Sequence, residues 1–217
     1  MIYEKWKDAY EKAEFYNSEQ NNFSYWNAVA EGDGGGLQGK DHVYLLLEYL
    51  TSNRLLNKTS KVLDIGCGGG DYTVEFAANS DHVTALDYSE KMLWQCEERC
   101  DREGIENVSF VHKNFWEFQT EQQYDCVISC LNPATYNPMA LDKMLSISKG
   151  CVVYFSMDTD TRGAENEPIY QGCNSVRFAE EYLAECGKRY EKLEYKYVIK
   201  LQNGLEKEIP FAYLVIV

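Results

Sequence analysis

The chain has 217 residues, enough for one α/β core with a small appendage, and its 45% apolar content supports burial on that scale. A formal net charge of −14 with a pI near 4.7 works against a phosphate backbone, and no Lys/Arg run beyond Lys188-Arg189 offers a local basic patch. Nucleic-acid substrates are therefore disfavoured, and no run of about 18 apolar residues offers a membrane span.

Taken in chain order, residues 3–16 and 39–52 read as helices. They are followed by strand 61–65, helix 71–79, strand 82–87, helix 89–103, strand 108–112, strand 124–130, helix 138–148 and strand 150–156. A polar, acidic stretch from Asp158 to Asn174 precedes a helix near 175–187 and strands 190–202 and 205–217. Asn203-Gly204 between the last two alternating runs predicts a hairpin turn.

The first strand runs directly into Gly66, Gly68, Gly69 and Gly70, and a helix opens at Asp71. Such a loop lets a ligand lie against the main chain without meeting a Cβ, beside free helix N–H groups. A dinucleotide reading G-x-G-x-x-G would require a third glycine at position 71, where Asp71 stands. An acid there opposes a pyrophosphate on the helix N-terminus, and Asp64 and Asp87 add to that opposition, so a cationic ligand is expected.

Asp64-Ile-Gly-Cys-Gly-Gly-Gly resembles motif I of the class I S-adenosylmethionine (SAM) dependent methyltransferases, (D/E)-x-G-x-G-x-G, at each of its four fixed positions. Asp87 follows Gly66 by 21 residues at the end of the second strand, where the family's acid accepts hydrogen bonds from the ribose hydroxyls. The run from Asp87 through Tyr88, Ser89 and Met92 to Leu93 is similar to the family's D-x-S-x-x-M-L, and Ser89 also reads as a helix N-cap. Asn114 and Phe115 stand where the family places an amide and an apolar residue beside the adenine. Asp125 opens a buried strand that matches motif IV. These landmarks spread over residues 40–155.

The resemblance implies a three-layer α-β-α Rossmann-like sheet of seven strands in the order 3-2-1-4-5-7-6, strand 7 antiparallel. It implies SAM as cofactor, S-adenosylhomocysteine as product, and Asp64, Gly66, Cys67, Gly68, Gly70, Asp87, Tyr88, Met92, Asn114, Phe115, Cys130 and Leu131 as cofactor-binding. Cys67 occupies a variable slot and reads as a small filler rather than a nucleophile.

Three segments bear on the acceptor. Between Tyr3 and Trp26 lie eight of the thirty aromatic residues. Residues 1–40 are read as a helical, aromatic lid segment hinged at Glu31–Gly36, and residues 41–217 as the methyltransferase domain. The competing reading is that these rings pin helices to the sheet; Tyr16 and Trp26 are the rings expected to face the cofactor. Asn132-Pro133 invites comparison with the (D/N/S)-P-P-(Y/F) motif of enzymes acting on planar nitrogens, but it lies two residues late and has Ala134 in the third position, so Asn132 is expected to be a turn residue. The insertion from Asp158 to Asn174 is either a second cover or a solvated loop.

Methyl transfer from a sulfonium is an in-line displacement with a neutral leaving group, so positioning dominates and no catalytic base is named. The expected activity is methyl transfer to a small-molecule acceptor. A SAM-binding regulatory module and a protein or macromolecule methyltransferase are the alternatives. The eight cysteines include no C-x-x-C pair, and His42, His82 and His112 are scattered, so neither a metal site nor a disulfide framework is expected. The N-terminus has no apolar signal segment, which leads to the expectation of a cytoplasmic monomer or homodimer.

Overall fold

The computed structural model describes residues 1–13, 23–31, 37–159, 173–200 and 205–217. Tyr16, the glycine run of the expected hinge, most of the Asp158–Asn174 insertion and the Asn203-Gly204 turn lie outside the described residues.

Helix α1 spans Ile2–Lys12, α2 Phe23–Glu31 and α3 Asp41–Ser52. There follow β1 Lys61–Ile65, α4 Asp71–Ala77, β2 His82–Asp87, α5 Glu90–Glu103, β3 Val108–His112 and β4 Tyr124–Cys130. A 3-10 turn at Pro133–Thr135 leads to α6 Pro138–Ile147, β5 Ser148–Met157, α7 Val176–Glu185, β6 Tyr190–Lys200 and β7 Glu206–Ile216. The seven strands form one sheet in the order β3-β2-β1-β4-β5-β7-β6. The five strands from β3 to β5 pair in parallel, and β7 runs antiparallel to both β5 and β6. This is the expected order.

The alternation of each strand sorts its side chains between two layers. Leu63, Ile65, Val127, Val152 and Leu214 meet Leu141 and Met144 of α6, Val176 and Leu183 of α7, and Trp6 of α1. Val62, Val83, Ile128, Val153 and Tyr213 face the other way, onto Leu46 and Leu50 of α3 and Phe76 of α4. Helix α5 presents Cys96 and Cys100, four residues apart on one face, to Val74 and Ala85. Its N-cap is the expected Ser89, whose Oγ accepts the Met92 N–H, and its end is Gly104 in the left-handed region at φ 69°.

Two local expectations change. Helix α2 has no counterpart in the sequence reading, because nine residues between polar and glycine-rich runs show no sustained period. Its register comes from tertiary bonds to α5: Asn27 Oδ1 accepts from the Ser89 hydroxyl at 2.7 Å and from the Lys91 N–H at 3.2 Å, and the Gln95 amide donates to Ala30 O. Strand β5 begins at Ser148, two residues before the expected start. Gly150 there packs so closely on the Asp125 carbonyl that a Cβ would lie 2.2 Å from it.

Trp6 is fully buried, stacked on Phe178 at 6.3 Å and edge-on to Tyr154, and its indole N–H donates to Cys173 O. For this ring the pinning reading describes what the structure does.

Candidate active site

A cavity of about 310 Å³ opens where β1, β2 and β4 end. This is where ligands of open α/β sheets sit, outside the carboxyl ends of the strands. The glycine loop forms its floor. The Gly66 and Cys67 N–H groups both donate to Leu86 O, at 2.7 and 3.1 Å, which ties the loop to the end of β2. Gly66 has φ 70°, and a Cβ on it would lie 2.6 Å from the Asn132 amide nitrogen. Gly68 has φ 52°, and a Cβ on it would meet nothing within 4 Å. The loop therefore leaves room for a ligand against its main chain, the cradle that the adenosyl group of the expected cofactor needs.

Asp87 closes the β2 side of the cavity. Its Oδ2 accepts the Gly68 N–H at 2.9 Å and its Oδ1 the Ser89 N–H at 2.8 Å. Burial raises its pKa, while the N–H groups of Ser89, Gly68 and Tyr88 oppose the rise. Each oxygen keeps a lone pair for a donor such as a sugar hydroxyl. Tyr88 and Met92 line the cavity, as does Trp26, whose side chain hydrogen-bonds the Tyr88 hydroxyl. Asn114 and Phe115 also line it. Asn114 Oδ1 accepts the Trp116 N–H at 2.9 Å, and the Lys143 ammonium lies 4.6 Å above the Phe115 ring.

At the end of β4, Cys130 and Leu131 line the cavity. Leu131 has φ 49°, a left-handed conformation costly for a side chain of that size. Asn132 is a turn residue: its Oδ1 accepts the Ala134 N–H and its Nδ2 donates to Ile65 O, both at 3.1 Å.

Not every expected residue reaches the cavity wall. Gly66, Cys67 and Gly68 do, joined there by Gly69, which is not among the expected residues. Gly70 instead caps α4 against Cys96. Asp64 is buried beneath the loop, where its Oδ2 accepts the Thr73 hydroxyl at 2.6 Å. Burial pushes its pKa to about 7, against the Thr73 hydrogen bond. Asp71 lines the cavity, but its carboxylate is paired with Arg99, so it opposes an anion less than its bare charge suggests.

Sequence reasoning missed Tyr10, Leu37, His42, Tyr72 and Trp116, all of which line the cavity. Tyr72 carried a signal, since it directly follows the loop at the helix mouth. His42 carried none, lying on an apolar helical face with Leu46 and Leu50. It is 3% exposed, and its Nδ1 has no hydrogen-bond partner among the described residues. Burial lowers its pKa, against Asp71 and Asp41. An unpartnered buried nitrogen of this kind costs on the order of 1–3 kcal/mol.

A three-layer sheet in this order, with a glycine cradle after β1 and an acid ending β2, defines the Rossmann-like class I methyltransferase architecture. The description "Methyltransferase domain" matches residues 62–149. The chain is 31% identical over 181 residues to a malonyl-[acyl-carrier protein] O-methyltransferase of Bacillus anthracis, covering 76% of this chain and 62% of the relative. It is 29% identical over 122 residues to a 23S rRNA (uracil-C(5))-methyltransferase of Klebsiella pneumoniae, covering 54% of this chain and 28% of the relative. A human EEF1A lysine methyltransferase 2 is 26% identical over 183 residues, 78% of this chain and 74% of that one. The chain thus spans less than two thirds of the first two relatives.

Among solved structures, the magnesium protoporphyrin IX methyltransferase of Synechocystis with bound S-adenosylhomocysteine shares the fold at TM-score 0.62 and 16% identity, over 96% of this chain and 99% of that one. Residues 62–149 thus match a methyltransferase domain, and the fold is the one that the SAM-dependent methyltransferases of class I share. No helix of the described residues is long and apolar enough to cross a membrane.

Proposed function

We propose that this chain transfers the methyl group of SAM to a small-molecule acceptor by in-line displacement. The observation that carries the reading is the Gly66–Gly68 cradle facing Asp87 across one cavity, with an aromatic wall of Tyr10, Trp26 and Tyr88 above it. When bound, the cofactor supplies an electrophilic methyl group on a sulfonium. The chain's own residues do the rest. Gly66, Cys67 and Gly68 offer main chain to the donor, and Asp87 offers carboxylate lone pairs to the ribose. Asn114 and Phe115 bound the adenine, and Tyr88, Met92 and Trp26 narrow the access of water.

A net charge of −14 supports a small acceptor over RNA. The residue 1–40 lid is part of this proposal, with Tyr10 and Trp26 as its cavity-facing rings. A protein acceptor is the second reading, favoured by the likeness to the lysine methyltransferase.

The test is calorimetric titration of cofactor-stripped protein with S-adenosylhomocysteine, beside NAD. Micromolar binding of the first and none of the second is expected, and Asp87→Ala weakens it about 10- to 100-fold, the loss of one or two charge-assisted hydrogen bonds. Wild-type affinity in that variant would sink the ribose assignment.

A further inference from the structure

At the end of the cavity away from Asp87, helices α3 and α4 meet β4. The lining there is Leu37, His42, Tyr72, Cys130, Leu131 and Asn132. Its hydroxyls and amide are already engaged. The Tyr213 hydroxyl donates to His42 O at 2.8 Å and so accepts from Tyr72 at 2.7 Å. The Cys130 thiol pairs with Tyr72, and Asn132 uses both ends of its amide. The imidazole of His42 is the exception, its Nδ1 buried and without a hydrogen-bond partner among the described residues. Its ring is held by stacking on Phe155 at 6.1 Å and 16°, by the edge of Tyr72 at 5.7 Å and by Tyr195 at 5.6 Å.

We propose that His42 accepts the proton of the methyl acceptor, and that this acceptor is a flat aromatic molecule bearing a hydroxyl group. The inference rests on the methyl-transfer reading above. It follows from what the wall can and cannot recognise. A carboxylate needs a cation, yet the lysine that lines the cavity, Lys113, stands at the Asp87 end, and nearby Lys40 is paired with Glu75 and Arg99 with Asp71. A planar amide nitrogen holds its protons far more tightly than a neutral imidazole can take them. A thiol ionises far more readily than a phenol and so has less need of a base. An aromatic hydroxyl matches both the imidazole and the surrounding rings.

As the oxygen–carbon bond forms, the O–H proton passes to His42 and the carbon–sulfur bond breaks to leave a neutral thioether. The positive charge thus moves from sulfonium to imidazolium, and solvent takes the proton. Burial lowers the basicity of the ring, the charges of Asp71 and Asp41 oppose that, and Tyr72, Tyr195, Tyr213 and Cys130 are neutral with raised pKa values. Arg99 offsets part of the Asp71 charge. The activity limb set by His42 therefore lies below pH 6.5.

The experiment pairs binding with turnover in the full chain. Calorimetry measures S-adenosylhomocysteine first, then phenol and 4-nitrophenol added to the saturated protein. His42→Ala is expected to leave S-adenosylhomocysteine affinity within about threefold and to weaken phenol about tenfold. Labelled methyl transfer to phenol should fall about 10²- to 10⁴-fold and lose its acidic limb, whereas transfer to 4-nitrophenol, ionised at the assay pH, should fall far less. If the alanine variant does not fold, His42→Phe keeps the ring stack and serves in its place. Equal losses across the two phenols, an unchanged pH limb, or turnover confined to thiols or amines overturns the assignment while S-adenosylhomocysteine still binds. Failure of the wild type to bind S-adenosylhomocysteine overturns the methyl-transfer reading itself.

Discussion

At one end of the cavity a carboxylate is tied to main chain alone, and at the other two tyrosine hydroxyls are tied to one another. Asp87 is held by the N–H groups of Gly68 and Ser89, and Gly66 and Cys67 are held by Leu86 O. Across the cavity, Tyr72 and Tyr213 hold each other, and their chain of bonds ends on the carbonyl of His42. Main-chain anchoring fixes a geometry that any ligand of the same backbone shape can use. Side-chain anchoring builds a wall whose shape changes with each substitution, which suits the acceptor end proposed above.

The sharpest way to break this contrast is beneath the loop, at Asp64. Its folded pKa of about 7 lies above the ordinary carboxylate value, so the folded state keeps a proton that the unfolded chain loses first. The sign is that stability falls as pH rises from about 4 to about 7, and the loss persists above. Asp64→Asn should remove that slope and raise stability at pH 8 by at most ~4 kcal/mol, the free-energy equivalent of lifting a carboxyl from its ordinary pKa to about 7. Urea unfolding at pH 5 and pH 8 checks it, and an unchanged slope sinks the Asp64 assignment.

Gly66→Ala comes next. A Cβ at φ 70° against the Asn132 amide should cost roughly 2–4 kcal/mol and abolish S-adenosylhomocysteine binding. Thermal unfolding and calorimetry read the two effects separately. The smallest effect is on the far wall. Tyr213→Phe removes the hydrogen bonds from the Tyr72 hydroxyl and to the His42 carbonyl at a cost of about 1–3 kcal/mol, and S-adenosylhomocysteine affinity stays at the wild-type level. A large loss of that affinity would show that the two ends are not separate.

The same contrast decides what could be read beforehand. The loop and the strand order were legible because a main-chain cradle leaves glycines at fixed spacing, and parallel strands leave apolar runs. Even there Asp64 and Gly70, which belong to the motif, lie off the cavity wall, since a motif records what the loop needs to fold as well as what it touches. His42, Tyr72 and Tyr213 come from three distant stretches, and nothing local marks a histidine on an apolar helical face. Helix α2 was invisible for a related reason, since its bonds to Ser89, Lys91 and Gln95 are all long-range.

Asn132 joins the two ends. Its amide donates to Ile65 O, lies where a side chain on Gly66 would stand, and opens the turn that carries Pro133 and Ala134. The two loops are therefore one part, and the gap between them is set before either ligand arrives. Selection among acceptors then becomes a matter of reach. On the methyl-transfer reading proposed above, a molecule whose reacting atom stops short of that gap, or overshoots it, would occupy the pocket as an inhibitor, and shortening the Asn132 side chain is the place to retune the span.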